Sequence, residues 1–339
     1  MLLAATIKDI AQICGVSYST VSRALNDYPL TSRETKQKVL EAARALGYTP
    51  NDVARKLVTR TSDMVGLLVP DISNPYFPDV AKGVTDVLDE AGFHVFLSSV
   101  GWKYENEMRY RDILIEKRVA GMIVAPSSDK SGELFEDTRI PTVFVGSKTA
   151  SQSSNYVSVD NQKGASLAVE YLLRLGHRKI ACVQAKTLNI SGYERLCGFR
   201  AALEAADVFI PEDYIVTSGK YNLTGGYEAS LRLLQLNDPP TAIVAFEDIL
   251  ALGVIEAIGK TGKSVPDDIS VIGFDDIIFS ELPKINLTSV FQPKYKAGAV
   301  AAEILLDKIA KLHDNTPVQV ILEPELVVRG TCAAVSSRG

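Results

Sequence analysis

Residues Thr6 to Asn26 read TIKDIAQICGVSYSTVSRALN, and two short helices around a tight turn follow from them. Thr6 is a good helix N-cap, and Asp9 three positions on supplies a weak form of the reciprocal capping box. Ile7, Ile10, Ala11 and Cys14 recur at helical spacing and mark one apolar face. Gly15 can take the left-handed backbone that stops a helix. Ser17 caps a second helix whose Val21, Ala24 and Leu25 face inward. Its other face shows Tyr18, Ser19, Ser22 and Arg23, all with hydrogen-bonding side chains. That is the build of a helix-turn-helix, in which one helix crosses the nucleic-acid backbone and the second enters the major groove. An ordinary helical hairpin shares the apolar pattern.

The charge is distributed to match. The 339 residues carry a net charge of -5, yet residues 1–60 hold nine basic side chains against five acidic ones. A basic head on an acidic body suits phosphate contact by the head alone. The length suits two or three domains, and 46% hydrophobic with 23% charged residues is the composition of a soluble globular chain. Cys14, Cys182, Cys197 and Cys332 are scattered without a CxxC pair, as expected of reduced thiols in a cytoplasmic protein. The opening MLLAATIKD lacks the pattern of a signal peptide, and no apolar run approaches the 18 residues of a membrane span.

After Leu30, a third helix is expected, with Thr31 and Glu34 as its capping box and Val39, Leu40, Ala43 and Leu46 as its buried stripe. Gly47 ends it. The segment NDVARKLVTR that follows Pro50 places Val53, Ala54, Leu57 and Val58 along one side of two helical turns, too short to be stable alone in water. From Met64 the texture changes. β-rich runs such as MVGLLV (64–69), HVFLSS (94–99), KIACVQ (179–184), AIVAF (242–246) and ISVIGF (269–274) alternate with amphipathic stretches. Such alternation means parallel sheets with helices on both faces, and two series of it imply two doubly wound lobes. Ligands of such sheets bind beyond the carboxyl ends of the strands. Polar residues stand there: Asp71 and Asn74, Gly146 and Ser147, Glu247 and Asp248, Asp275 and Asp276, and Gln292.

Thr6-Ile7-Lys8-Asp9-Ile10-Ala11, Gly15-Val16-Ser17 and Thr20-Val21-Ser22-Arg23 resemble the headpiece of the lactose-repressor (LacI/GalR) family of transcriptional regulators. Gly47-Tyr48-Thr49-Pro50-Asn51 and Ala54-Arg55 to Leu57 are similar to its hinge. Asp71 to Phe77 (DISNPYF), Leu175-Gly176-His177, Ala251-Leu252-Gly253 and Gly273-Phe274-Asp275-Asp276 are similar to its effector-binding core. The resemblance covers essentially the whole chain. It implies an N-terminal all-α helix-turn-helix headpiece with a hinge helix, then a two-lobed α/β effector domain like a periplasmic sugar-binding protein. The implied divisions are a headpiece at 1–50, a hinge at 51–62, a first lobe of 63–160 plus 293–322, and a second lobe of 161–292 plus 323–335. It further implies a cytoplasmic repressor that binds a pseudo-palindromic operator as a homodimer or tetramer, with neither cofactor nor membrane.

By that resemblance Tyr18 and Ser19 touch base edges, and Ser17, Ser22 and Arg23 set position on DNA, with Thr6, Thr20, Asn26 and Asn51 as further contacts. Leu57 is the implied minor-groove wedge, and Ala54 lets paired hinge helices approach. The implied effector residues are Asp71, Asn74, Tyr76, Phe77, Gly146, Ser191, Arg195, Tyr221, Glu247, Asp275 and Gln292, for a sugar or sugar phosphate. Aromatic faces pack on sugar rings, and Asp and Arg form charge-assisted hydrogen bonds to hydroxyls. Two departures stand out. Many sugar-binding relatives have Asp where this chain has Gly146-Ser147, and Asn or Asp where it has Glu247. A rival reading keeps the DNA binding and takes a phosphorylated carrier protein as co-repressor, as catabolite-control relatives do.

Other chemistry finds no support. AIGKTGKS (257–264) ends like a phosphate-binding loop, but Ala257 replaces the first glycine and a helix, not a strand, precedes it. His94, His177 and His313 lack metal-ligand spacing, and no serine sits in a GxSxG elbow. His177, after Gly176, reads as a helix-end cap. No catalytic set supports an enzyme.

Overall fold

The computed structural model describes residues 5–25, 31–48, 62–149, 151–185, 190–311 and 316–335. The expectations for Asn26, Asn51, Ala54, Leu57 and the hinge lie outside them. The chain divides into two compact units, Met1–Ser62 and Asp63–Gly339.

In the first unit the Asp9 carboxylate accepts from the Thr6 N–H and hydroxyl, both at 2.7 Å, and opens α1 (Ile7–Cys14). Gly15 ends it at φ 66°. Ser17 Oγ accepts from Thr20 N–H at 3.2 Å at the head of α2 (Tyr18–Leu25). The third helix, α3 (Arg33–Ala45), is capped by Ser32 and not by Thr31: Ser32 Oγ accepts from Thr35 N–H at 3.2 Å. Both residues can cap, and the hydroxyl pair Ser32–Thr35 at 2.8 Å holds the Ser32 register. The core is Ile10, Cys14, Val21, Ala24, Val39, Ala42 and Ala43.

The second unit holds two six-stranded sheets. The first consists of β1 (Met64–Val69), β2 (His94–Ser99), β3 (Gly121–Val124), β4 (Thr142–Val145), β5 (Asn155–Val159) and β11 (Gln319–Leu322), in the order β11-β5-β4-β3-β1-β2, all parallel. The second consists of β6 (Ile180–Ala185), β7 (Ile215–Ser218), β8 (Ala242–Ala245), β9 (Ser270–Asp275), β10 (Thr288–Phe291) and β12 (Glu325–Val327). Its order is β12-β10-β9-β8-β6-β7, with only β12 antiparallel. The central strands are Val/Ile-rich and buried along most of their length because helices cover both faces. The helices the site needs are α4 (Tyr76–Glu90), α5 (Tyr104–Glu116), α6 (Ser131–Glu136) and, in the second lobe, α7 (Asn161–Arg174), α8 (Ile190–Glu204), α9 (Leu223–Leu234) and α10 (Asp248–Lys260).

The chain passes between the sheets three times, after Val159, Phe291 and Leu322. The second passage delivers α11 (Lys294–Ala310) to the first lobe. There α11 lies backbone to backbone on α4, since a Cβ at Gly298 would stand 2.1 Å from the Val80 carbonyl oxygen. His177 is buried and does more than end a helix. Its N–H closes onto Leu172 at 3.1 Å, while its ring bridges Thr241 Oγ1 at 2.9 Å and the Ala333 carbonyl at 3.0 Å. The expected cap is therefore a tether for the C-terminal segment, and burial lowers its pKa.

Candidate functional site

Between the carboxyl ends of the two sheets lies a small cavity of about 50 Å³. The first lobe supplies an aromatic wall. Asn74 Oδ1 accepts from Tyr76 N–H at 3.0 Å and sets the turn into α4. Tyr76 and Phe77 meet edge to face at 5.1 Å, and Phe77 meets Trp102 at 6.1 Å. Gly146, at φ 82°, ends β4 where a Cβ would stand 3.0 Å from the Tyr76 hydroxyl, so glycine both permits the turn and makes room for the ring.

The second lobe supplies charge. Arg195, on α8, is 5% exposed. Its Nε donates to Asn161 Oδ1 at 2.9 Å, Nη1 donates to the Phe246 carbonyl, and the guanidinium lies 3.8 Å from the Phe274 ring centroid. The same Nη1 is 3.7 Å from Glu247 Oε1 and 3.9 Å from Asp275 Oδ1. Glu247, just past β8, accepts from the Tyr221 hydroxyl at 2.8 Å through Oε1. Its Oε2 is buried without a hydrogen-bond partner, while an Ala185 main-chain hydrogen bond to the carboxylate opposes the effect of burial. Asp275 accepts from Gln292 Nε2 at 2.6 Å. Burial raises the pKa of Glu247 and pushes that of Asp275 well above the carboxylate range, with Arg195 opposing in both cases. Burial likewise pushes the Tyr76 and Tyr221 phenols up.

Asp275 and Asp276 have φ of 122° and 52°, a corner that needs outside support. Lys294 Nζ donates to both their carbonyls at 2.7 Å, reaching from α11 into the second lobe. Arg329 pairs with Asp276 at 2.6 Å. Behind them the buried Asp248 accepts from Ile277 N–H, Ser280 Oγ and Ser289 Oγ at 2.6–2.8 Å. Further contacts join the two lobes at the cleft: the Trp102–Tyr221 stack at 4.0 Å, Ser191 Oγ donating to the Gly146 carbonyl at 3.1 Å, and the Lys148–Glu194 pair at 2.6 Å.

Ten of the eleven expected effector residues therefore line one cavity, and Asp71 does not. Its carboxylate closes a turn onto Ser73, accepting from the N–H at 2.9 Å and the hydroxyl at 2.7 Å. The sequence reading passed over Trp102, Asn161, Glu194 and Lys294. Trp102 had a signal, since it is the one tryptophan and follows Gly101 just past a strand. In the helical unit, Ser17, Tyr18, Ser19 and Arg23 are exposed, Tyr18 at 67%, while Thr20 and Ser22 are half-buried. Ser17 Oγ lies 2.7 Å from Ser19 Oγ and 2.8 Å from Thr20 Oγ1. Among the described residues no cluster of His, Cys, Asp and Glu could hold a metal, and no helix is long and apolar enough to cross a membrane.

Residues 6–51 match the family described as bacterial regulatory proteins, lacI family, and residues 169–332 match a periplasmic binding protein-like domain. The HTH-type transcriptional repressor PurR of Vibrio vulnificus (strain CMCP6) is 35% identical over 98% of this chain and 100% of its own length. The chain belongs to the LacI family. As a LacI-family transcriptional regulator it has the two-part build of solved members. The lac repressor dimer bound to operator and the anti-inducer ONPF is 28% identical, with a TM-score of 0.86 over 98% of this chain and 100% of that one. A LacI family transcriptional regulator from Enterococcus faecium with bound ribose is 30% identical, with a TM-score of 0.72 over 80% of this chain and 100% of that one.

Proposed function

We propose that this LacI-family regulator is the repressor of a carbohydrate-utilisation operon, and that a small polyhydroxy effector in the inter-lobe cleft sets its operator affinity. One observation carries the reading: the buried Arg195 stands within 4 Å of two carboxylates at the carboxyl ends of strands, facing an aromatic wall. Aromatic rings take the apolar face of a sugar while the charges take its hydroxyls. The bound ribose of the Enterococcus relative supports the same class. On the DNA side, Tyr18 and Ser19 read base edges, while Thr6, Ser17, Thr20, Ser22 and Arg23 position the headpiece on phosphates. The working form is a cytoplasmic homodimer on a pseudo-palindromic site. Effector binding acts by linkage. It shifts DNA affinity only by its differential affinity for the two states, typically about 1–3 kcal/mol.

The test joins the two activities. Asp275→Ala removes a charged partner, which typically costs about 2–5 kcal/mol, or roughly 30-fold or more in effector affinity. The expected protein binds operator as the wild type does and no longer responds to effector. Arg23→Ala should weaken DNA binding across sequences and reduce the slope of log K against log salt by about one. An Asp275→Ala protein with an unshifted effector midpoint would remove the cleft from the reading.

A further inference from the structure

Four buried side-chain polar atoms among the described residues have no hydrogen-bond partner: Ser98 Oγ, Trp102 Nε1, Glu107 Oε1 and Glu247 Oε2. Two of their residues, Trp102 and Glu247, line the cleft, and their unsatisfied atoms are of opposite kind. Glu247 Oε2 can only accept while the carboxylate is ionised, and Trp102 Nε1 can only donate. Tyr221 connects them, stacked on Trp102 at 4.0 Å and hydrogen-bonded to Glu247 at 2.8 Å. A buried polar group left unsatisfied is costly, and a functional site is where such a cost is retained.

The charges of the cleft narrow what can satisfy them. Among the lining residues Arg195 is the one cation, and it faces two carboxylates. Its Nε and Nη1 are already bonded, to Asn161 and to the Phe246 carbonyl. The two nearby lysines are engaged elsewhere, Lys294 on the Asp275 and Asp276 carbonyls and Lys148 on Glu194. With Glu247 and Asp275 both ionised, a phosphoryl or carboxylate group entering here would meet two negative charges against one positive in a low-dielectric space. A hydroxyl or an ammonium would meet an acceptor that lacks a donor.

Resting on the effector reading of this cleft, we propose that it selects an uncharged or amino-substituted polyhydroxy ligand and rejects phosphorylated and carboxylated ones. A ligand hydroxyl or ammonium donates to Glu247 Oε2, and a ligand oxygen accepts from Trp102 Nε1. Glu247 is thus a specificity residue, and the phosphosugars included in the sequence expectation are excluded as effectors.

The experiment uses the full chain and matched probes: ribose with ribose 5-phosphate, glucose with glucose 6-phosphate, glucosamine, and glucuronate. Thermal shift and calorimetry are recorded for wild type, Glu247→Gln, Trp102→Phe and Asp275→Ala. Ligand binding to the native state alone raises the melting temperature. The expected pattern is a shift by an uncharged or amino sugar, with its phosphate ester or uronate at least about 30-fold weaker. Glu247→Gln should lose about 30-fold in affinity for the bound sugar and narrow the gap to the ester. Trp102→Phe keeps the ring and removes the N–H, and should lose about threefold to tenfold. A phosphate ester or uronate that binds more tightly than its parent sugar, with Asp275→Ala still abolishing binding, overturns this inference and leaves the effector cleft standing. A sugar that shifts Asp275→Ala as strongly as wild type sinks the cleft reading itself.

Discussion

The two walls of the cleft are built from the same kind of sheet end but from opposite chemistry. The first lobe presents Tyr76, Phe77 and Trp102 in a chain of ring contacts, and the second presents Arg195, Glu247 and Asp275 in a chain of charges. The aromatic wall is continuous with a hydrophobic core: Tyr76 and Phe77 pack with Val65, Val80 and Val145, so they hold the fold and shape the ligand space at once. The charged wall cannot merge with a core in that way. Each charge is held at a local cost and balanced by a neighbour, with Phe274 beneath the guanidinium and Gln292 on Asp275. Substitutions on the first wall should therefore appear mainly as stability. Those on the second should appear as affinity and pH response.

The largest expected effect tests that division. Phe77 is 6% exposed, and Phe77→Ala removes a buried ring from α4, typically costing about 3–5 kcal/mol. Denaturant unfolding should show a lower midpoint at unchanged slope. A variant with wild-type stability and lost effector binding would place Phe77 on the ligand side of the division.

Next comes the pH dependence of the charged wall. Glu247 and Asp275 have folded-state pKa values raised above those of the unfolded chain, so the native state binds more protons once pH rises above about 4. Stability from these groups is then greatest in acid and falls as pH rises toward their folded values. The groups facing Glu247 are Arg195, Tyr221, Asp248 and Asp275. Glu247→Gln removes one titration and should flatten the difference in melting temperature between about pH 5 and pH 8, because an uncharged side chain has no carboxylate pKa to shift. At neutral pH the variant should be more stable than wild type, because it removes a carboxylate whose ionisation burial opposes. Parallel pH curves for wild type and variant would remove Glu247 from the pH response.

The difference between the walls also explains what could be read from the chain. The helical unit was legible because its signals are local: Thr6 with Asp9, Gly15, and Ser17 with Thr20 all act within four residues. The Thr31/Ser32 shift shows the limit, since two adjacent residues can both cap. Strand alternation gave two sheets, and the rule that ligands bind past strand ends gave Glu247, Asp275 and Gln292. The supports of those residues were not legible. Lys294 reaches two carbonyls 18 and 19 positions away, and Asp248 holds residues 29–41 positions ahead. Such partners are chosen by tertiary placement, and neither spacing nor residue type announces them. His177 belongs to the same class, its ring reaching Ala333 across 156 positions.

The smallest effect bears on how the two walls hold each other. Trp102 and Tyr221 come from different lobes, with rings 24° from parallel and centroids 4.0 Å apart. Trp102 itself sits at φ 56° after Gly101, a left-handed backbone that an indole rarely adopts without tertiary support. Two features therefore meet in this contact: a strained loop on the aromatic wall and a phenol already engaged by Glu247. Single truncations confound ring contact with burial, so the informative quantity is the coupling in a double-mutant cycle of Trp102→Ala and Tyr221→Ala. Aromatic pairs contribute about 0.5–1.5 kcal/mol beyond area burial, and the cycle on unfolding free energy should return a value in that range. Repeating it with Glu247→Gln as background separates two possibilities. If the coupling falls, the Tyr221–Glu247 hydrogen bond orients the phenol for stacking, and the charged wall positions the aromatic one. If the coupling is unchanged, shape alone brings the rings together and the walls act independently.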